Sequence, residues 1–147
     1  MNYKLFMAGI CAALSASLTF ALKAEAACFG STCNNKDPVK EGCTDGQVVT
    51  PTEPFGYYYY GPWWNRQRRQ ISVYLVYSKK CNANWTKADV PSGTLLYVEE
   101  SPPPQNRFGR YTTQTIGWSY GNMSNGYVTN MGCAEVPGSG RYCTNFR

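Results

Sequence analysis

Cysteine is the residue type with the clearest chemistry in this chain. Three cysteines have the spacing Cys28-x4-Cys33-x9-Cys43, behind a short apolar leader. Thiols at such spacings form disulfides in an oxidising compartment or bind zinc, and zinc sites normally use C-x2-C or H-x3-H pairs. The chain contains no histidine and no C-x2-C pair. We therefore predict a disulfide framework, with no metal and no cofactor, built from Cys28, Cys33, Cys43, Cys81, Cys133 and Cys143.

The sequence does not determine which cysteines pair with one another, but it favours one pair. Pro137-Gly138 is a turn signal that lies between Cys133 and Cys143, so we favour a bridge between those two. The first three cysteines and Cys81 would then pair among themselves.

Carboxylates are the remaining candidates for acid–base chemistry, because without histidine the common serine and cysteine triads cannot form. Glu99 and Glu100 are adjacent on an expected strand, so their side chains should point to opposite faces and could not act as a pair. Asp37 precedes Pro38, which is typical of a turn held by the aspartate side chain, and a catalytic or calcium-binding carboxylate is the alternative. We expect no enzyme activity and keep a carboxylate hydrolase as the least favoured hypothesis.

An aromatic and basic segment, Phe55–Arg69, is the best candidate for a binding function. A loop of this kind cannot bury all of its rings, so some should face solvent, as in recognition surfaces. Tyr and Trp rings stack on sugars or proteins, and adjacent arginines hold anionic polymers. The alternative is a long hairpin whose rings cover one sheet face. The predicted contact residues are Tyr57, Tyr58, Tyr59, Tyr60, Trp63, Trp64, Arg66, Arg68 and Arg69.

The N-terminal leader predicts the localisation of the protein. Residues 1–26 have a short basic start, an apolar stretch and the small-x-small end Ala24-Glu25-Ala26, as in a signal peptide. An uncut membrane anchor is the alternative, but polar residues dilute the apolar run. Cleavage after Ala26 leaves one domain, residues 27–147, with a net charge of +4. We expect a secreted or periplasmic protein, with no nucleic-acid partner and no stable membrane insertion after processing.

The elements that must position these residues are predicted to be strands. In Gln70–Ser78, alternation places Ile71, Val73 and Leu75 on one face, and apolar residues on the other face favour a central strand. Further strands are expected at Gln47–Thr50, Thr94–Val98, Gly109–Trp118 and Tyr127–Met131, and only Asn84–Val90 could hold a helical turn. The sequence therefore predicts an all-β fold with little helix: a small antiparallel β-sandwich or barrel stapled by disulfides.

Two segments resemble a known family. The stretches CFGSTCNNKDPVKEGC, residues 28–43, and YSKKCNANW, residues 77–85, are similar to small secreted bacterial domains catalogued as domain of unknown function 2690. This chain has Asn35 where the family usually has glycine, and asparagine tolerates the left-handed backbone that such a turn requires. It also has Val76 in place of an arginine. The resemblance implies secretion and the fold, but it assigns no activity.

Two further hypotheses therefore accompany the hydrolase. The favoured one is a non-catalytic binding module of the cell envelope or extracellular space, with the aromatic segment contacting cell-wall or other polysaccharide. The other is a secreted inhibitor or protein-interaction domain that presents the stapled loop Asn34–Gly42 rigidly to a secreted or surface protein.

Overall fold

The computed structural model describes residues 25–51, 56–102 and 106–147. Most of the predicted signal peptide, residues 1–24, and Phe55 lie outside the described residues. Apart from a 3-10 turn at Gly30–Cys33, the regular structure within these ranges consists of β-strands. They are β1 Gln47–Pro51, β2 Tyr57–Tyr60, β3 Gln67–Gln70, β4 Ser72–Ser78, β5 Ala83–Val90, β6 Leu95–Ser101, β7 Arg107–Thr112, β8 Gly117–Asn125, β9 Thr129–Val136 and β10 Gly140–Cys143.

Two antiparallel four-stranded sheets form the fold, which confirms the predicted all-β class. The first sheet has the order β1-β4-β5-β8 and the second β10-β9-β6-β7. The sheets face each other across a buried apolar core that includes Val73 and Ala88 from the first and Leu96 and Ala134 from the second. Burying these inward faces stabilises the sandwich by about 25 cal/mol for each Å² of apolar surface removed from water.

β4 is the strand that the sequence predicted best. It lies inside the first sheet, between β1 and β5, as its apolar residues on both faces indicated. Val73 and Leu75 point into the sandwich and are fully buried. Val76, on the opposite face, is also buried, because the disulfide-bonded segment covers that part of the sheet.

Two secondary-structure predictions were wrong. Asn84–Val90 forms most of β5, not a helical turn, and β5 is hydrogen-bonded to β4 on one side and β8 on the other. Its Asn, Lys and Asp residues are poor strand formers, but pairing on both sides overrides that local preference. Gly109–Trp118 is not one strand: β7 and β8 are joined by Thr113–Ile116, where Thr113 Oγ1 accepts the Thr94 N–H at 3.0 Å.

The six cysteines among the described residues form three disulfides: Cys28–Cys33, Cys43–Cys81 and Cys133–Cys143. The last confirms the predicted pair and joins directly opposite residues of β9 and β10. The first two pack with Trp85 and Met123 in a second buried cluster, which covers part of the outer face of the first sheet. We call this the disulfide cluster. The domain therefore has one core between its sheets and another outside the first sheet.

Candidate binding surface

The aromatic segment folds as a two-stranded arm. β2 and β3 pair from Tyr57–Gln70 to Tyr60–Gln67, and residues 61–66 connect them. β3 continues into β4 with only Ile71 between them, and the Ile71 N–H donates to Gly56 O at 2.8 Å. We call residues 56–70 the arm. Because β3 runs almost directly into β4, the first sheet fixes where the arm begins.

One face of the arm is anchored in the sandwich. Tyr58 is buried against the core between the sheets, and its hydroxyl donates to Asp89 Oδ1 at 2.7 Å. Burial, followed by the bond to Asp89, raises the pKa of Tyr58 to about 12. Arg69 Nη1 lies 3.6 Å from the same Asp89 oxygen. Tyr60 packs against the same core and donates its hydroxyl to Gln67 Oε1.

The other face and the tip of the arm carry exposed rings. Tyr57 and Tyr59 point to solvent because side chains alternate along a strand. At the tip, Trp63 is 82% exposed and Trp64 72%, and their rings meet edge to face with centroids 5.6 Å apart. The segment is therefore a hairpin in which two tyrosines cover the core, while the other four rings of the arm lie in solvent, as the sequence predicted for some of them.

The arginines divide between the two faces of the arm. Arg68 lies over the outward ring of Tyr57, with Cζ 4.5 Å from the ring centroid. Arg69 is on the anchored face, near Tyr60 and Asp89. Arg66 is exposed in the connection. The arm itself contains no acidic residue, so its tip and outer face carry a net positive charge.

A second group of aromatic residues was missed in the sequence. Trp118 and Tyr120 of β8 are exposed on the outer face of the first sheet. Trp118 stacks on Tyr74, with centroids 5.5 Å apart and planes 15° apart, and Lys87 Nζ lies 5.3 Å from the Trp118 ring centre. The signal was the two-residue spacing of Trp118 and Tyr120, which places both on one face of a strand. The sequence analysis missed this spacing because the predicted strand ended at Trp118, so Tyr120 lay outside it.

The two candidate glutamates point to opposite faces of β6. Glu99 is 1% exposed and accepts hydrogen bonds from Arg107 Nε at 3.1 Å and Arg141 Nη2 at 2.6 Å. Glu100 accepts a bond from Ser124 Oγ at 2.9 Å. Each carboxylate is thus committed to its own neighbours, and the two are not positioned to act on one bond.

Tyr97 completes the charged network around Glu99. Its ring lies below both guanidinium groups, 4.8 Å from Arg107 Cζ and 5.8 Å from Arg141 Cζ. Its hydroxyl donates to Glu135 Oε1 at 2.8 Å. Burial and that bond raise the pKa of Tyr97 to about 12, although Arg141 acts in the opposite direction. These side chains shield the outer face of the second sheet from water.

Asp37 has the structural contacts expected of a turn residue. Its Oδ1 accepts the N–H groups of Val39 at 2.8 Å and Lys40 at 3.2 Å. Asn35, two residues earlier, has φ of 62°, the left-handed conformation predicted for it. These contacts shape the loop between the first two disulfides.

Three sulfur atoms approach one another as metal ligands would. The Sγ atoms of Cys28, Cys43 and Cys81 lie within 4.8 Å of one another. Each belongs to a disulfide, so in this oxidised state none of the three is a thiolate that could bind zinc.

Among the described residues, no helix has the length and apolarity needed to cross a bilayer. Comparison of the chain with protein-family models, curated proteins and solved structures finds no significant match.

Proposed function

We propose that this chain is an exported, non-catalytic binding module whose arm contacts an anionic polysaccharide of the cell envelope or its surroundings. The observation that carries the proposal is the pair Trp63 and Trp64, both more than two-thirds exposed at the end of an anchored hairpin. Exposing two tryptophans costs a monomeric domain part of its apolar burial, and such clusters mark contact surfaces.

Charge supports a polyanion as the partner. Arg66 and Arg68 lie beside exposed aromatic rings, and the arm has no acidic residue to pair with them. A guanidinium presents a planar fork of donors to carboxylate or phosphate groups, while the rings offer flat faces to sugars. The anchored Tyr58 and Arg69 keep the arm ordered, so little conformational entropy is lost on binding.

The features that predict export also support the proposal. The leader has the form of a signal peptide, and three disulfides suit a protein that folds in an oxidising compartment. We also propose membership in the family that residues 28–43 and 77–85 resemble, which would add no activity of its own.

Retention of the oxidised domain on insoluble cell-wall polysaccharide tests the function of the arm. The double variant Trp63→Ala, Trp64→Ala should reduce retention at least tenfold. Central aromatic side chains carry most of the binding free energy of such a contact, on the order of 2 kcal/mol or more. Arg66→Gln with Arg68→Gln should also reduce it and weaken its dependence on salt. Tyr127→Ala is the control, since Tyr127 is 71% exposed outside the arm. Unchanged retention in the double tryptophan variant would contradict the proposal.

A protein-interaction role is the second candidate, and one observation favours it. Val39 is 64% exposed in the loop Asn34–Gly42, which is bounded by two disulfides and braced by the Cys43 N–H donating to Pro38 O at 2.8 Å. Capture of a protein from culture supernatant by the oxidised domain, lost after reduction and in Val39→Asp but kept in the arm variants, would support this role instead.

A further inference from the structure

A groove lies on the outer face of the first sheet, and no residue of the arm lines it. It has a volume of about 520 Å³, within the range typical of small-molecule sites. One wall is the disulfide-bounded loop, with Lys36, Asp37 and Lys40, and the other is formed by Tyr111, Trp118 and Tyr120. The groove therefore combines aromatic faces with hydrogen-bonding side chains.

The loop wall is held in place by the sheet. The Asn35 N–H donates to Met123 O and the Met123 N–H donates to Lys36 O, both at 2.8 Å. Asn35 Oδ1 also accepts the Gly109 N–H of β7 at 2.8 Å. The bridges Cys28–Cys33 and Cys43–Cys81 fix the two ends of the loop. The groove is thus formed before any ligand arrives, which lowers the entropic cost of binding.

The aromatic wall offers partly exposed ring surface. Trp118 is 53% exposed although it stacks on Tyr74, and Tyr111 and Tyr120 are each about two-fifths exposed. Burial raises the pKa of Tyr120, and Asp37 and then Tyr111 act in the same direction. Tyr120 is therefore a neutral hydroxyl donor at physiological pH, close to the loop wall.

The four charged side chains of the groove, Lys36, Asp37, Lys40 and Glu41, sum to no net charge. Lys36 Nζ lies 3.6 Å from Glu41 Oε2, and Asp37 Oδ1 is engaged with two backbone N–H groups. A ligand of high net charge would have to compete with these contacts. A neutral sugar has an apolar C–H face that can pack on an aromatic ring of the groove. It also has hydroxyl groups that can form hydrogen bonds with the polar side chains.

We propose that this groove binds a short neutral oligosaccharide, with one sugar ring packed on Trp118 and Tyr120 and its hydroxyls bonded by three lining side chains, Asp37, Lys40 and Asn122. The site is separate from the arm and does not depend on the function proposed for it. A module with both sites would hold a charged polymer at the tip of the arm and a neutral glycan on its sheet.

Titration of the oxidised full domain with four neutral tetrasaccharides tests the proposal, with cellotetraose, xylotetraose, mannotetraose and N-acetylchitotetraose as probes. Binding is measured by calorimetry and by amide shifts in NMR spectra. We expect at least one probe to bind, with shifts at Lys36–Glu41 and in β8. Trp118→Ala and Tyr120→Ala should each weaken that binding about tenfold or more.

Tyr127→Ala is the control, because it removes an exposed aromatic ring that lies outside both the groove and the arm. Circular dichroism melting establishes that each variant is folded. If Trp118→Ala does not fold, Tyr111→Ala and Lys40→Ala take its place, each with an expected loss of several-fold.

Failure of all four probes to bind the wild-type domain would overturn the proposal. Equal weakening by Tyr127→Ala, or amide shifts confined to the arm, would overturn it too. Failure of all four neutral probes does not bear on retention of insoluble polysaccharide by the arm, which is measured with a different ligand and with substitutions in the arm.

Discussion

At the scale of single residues, Asp45 shows how one carboxylate fixes the segment before β1. Its Oδ1 accepts the Ser78 hydroxyl and its Oδ2 accepts the Lys80 N–H at 2.8 Å. Partial burial acts to raise the pKa of Asp45, but the bonds from Ser78 and Lys80 outweigh it and hold the pKa below its ordinary value of 3.8. The ionised form is therefore the one that the fold stabilises.

We expect Asp45→Asn to lower the free energy of unfolding by about 1 kcal/mol at pH 7, the usual net value of such hydrogen bonds. Because the folded-state pKa is depressed, this stabilisation is present above pH 3.8 and is lost as the pH falls through the lower folded-state value. Urea unfolding of both proteins at pH 7 and pH 3 measures it. A difference that stayed constant or grew towards acid pH would contradict this explanation.

Glu99 is the residue whose charge matters most to the second sheet. Glu99→Gln keeps the shape of the side chain but replaces a carboxylate that accepts from two guanidinium groups. Since hydrogen bonds to charged groups contribute about 1.5–3 kcal/mol, we expect a loss of that order in the free energy of unfolding. Glu100→Gln, with its single bond from Ser124, is the control and should lose less. Equal losses in urea unfolding would count against a special role for the Glu99 network.

At the scale of elements, the sequence predicted strands where side-chain periodicity was strong. β4 was found because Val73 and Leu75 fall on one face of the expected strand and further apolar residues fall on the other. β5 was not, because its alternate positions include Asn84, Lys87 and Asp89, and its strand conformation comes from pairing with β4 and β8. Long-range pairing of this kind leaves no local mark in the sequence.

Trp85 links β5 to the disulfide cluster. It is buried, and the loop before β1 comes so close that a Cβ at Gly46 would lie 2.4 Å from Trp85 Cζ2. Trp85→Ala should cost about 3–5 kcal/mol in the free energy of unfolding, because the backbone cannot collapse fully into the cavity. Trp64→Ala, at an exposed position, should change it by about 0.5 kcal/mol or less. Similar denaturation midpoints for the two variants would refute the assignment of Trp85 to a core.

At the scale of the whole molecule, the candidate surfaces were only partly predictable. The composition of the arm predicted that some rings would be exposed, and those of Trp63 and Trp64 are. The groove was not predictable, since it requires the loop at Asp37 to pack beside Trp118, some 80 residues later in the chain. The pairing of Cys133 with Cys143 followed from a local turn, whereas that of Cys43 with Cys81 depends on the folded sheet.

The three disulfides should differ in their contribution to stability. The bridges span sequence separations of 38, 10 and 5 residues for Cys43–Cys81, Cys133–Cys143 and Cys28–Cys33. The loop-entropy relation then gives contributions of about 4, about 2.7 and about 2 kcal/mol in that order. Replacing each pair by alanines and measuring denaturant unfolding checks the ranking. A greater loss from the Cys28–Cys33 pair than from Cys43–Cys81 would show that packing in the disulfide cluster outweighs chain entropy.

The passage of β3 into β4 through Ile71 has a mechanical consequence. Tension applied at the tip of the arm would run along the backbone into a strand that is hydrogen-bonded on both sides, so the bonds of β4 would be loaded in shear and share the force. Three residues beyond Ser78, the loaded chain reaches Cys81 and its covalent link to Cys43. If the arm holds a polymer as proposed, single-molecule pulling should detach that polymer at a lower force than the force that ruptures the first sheet.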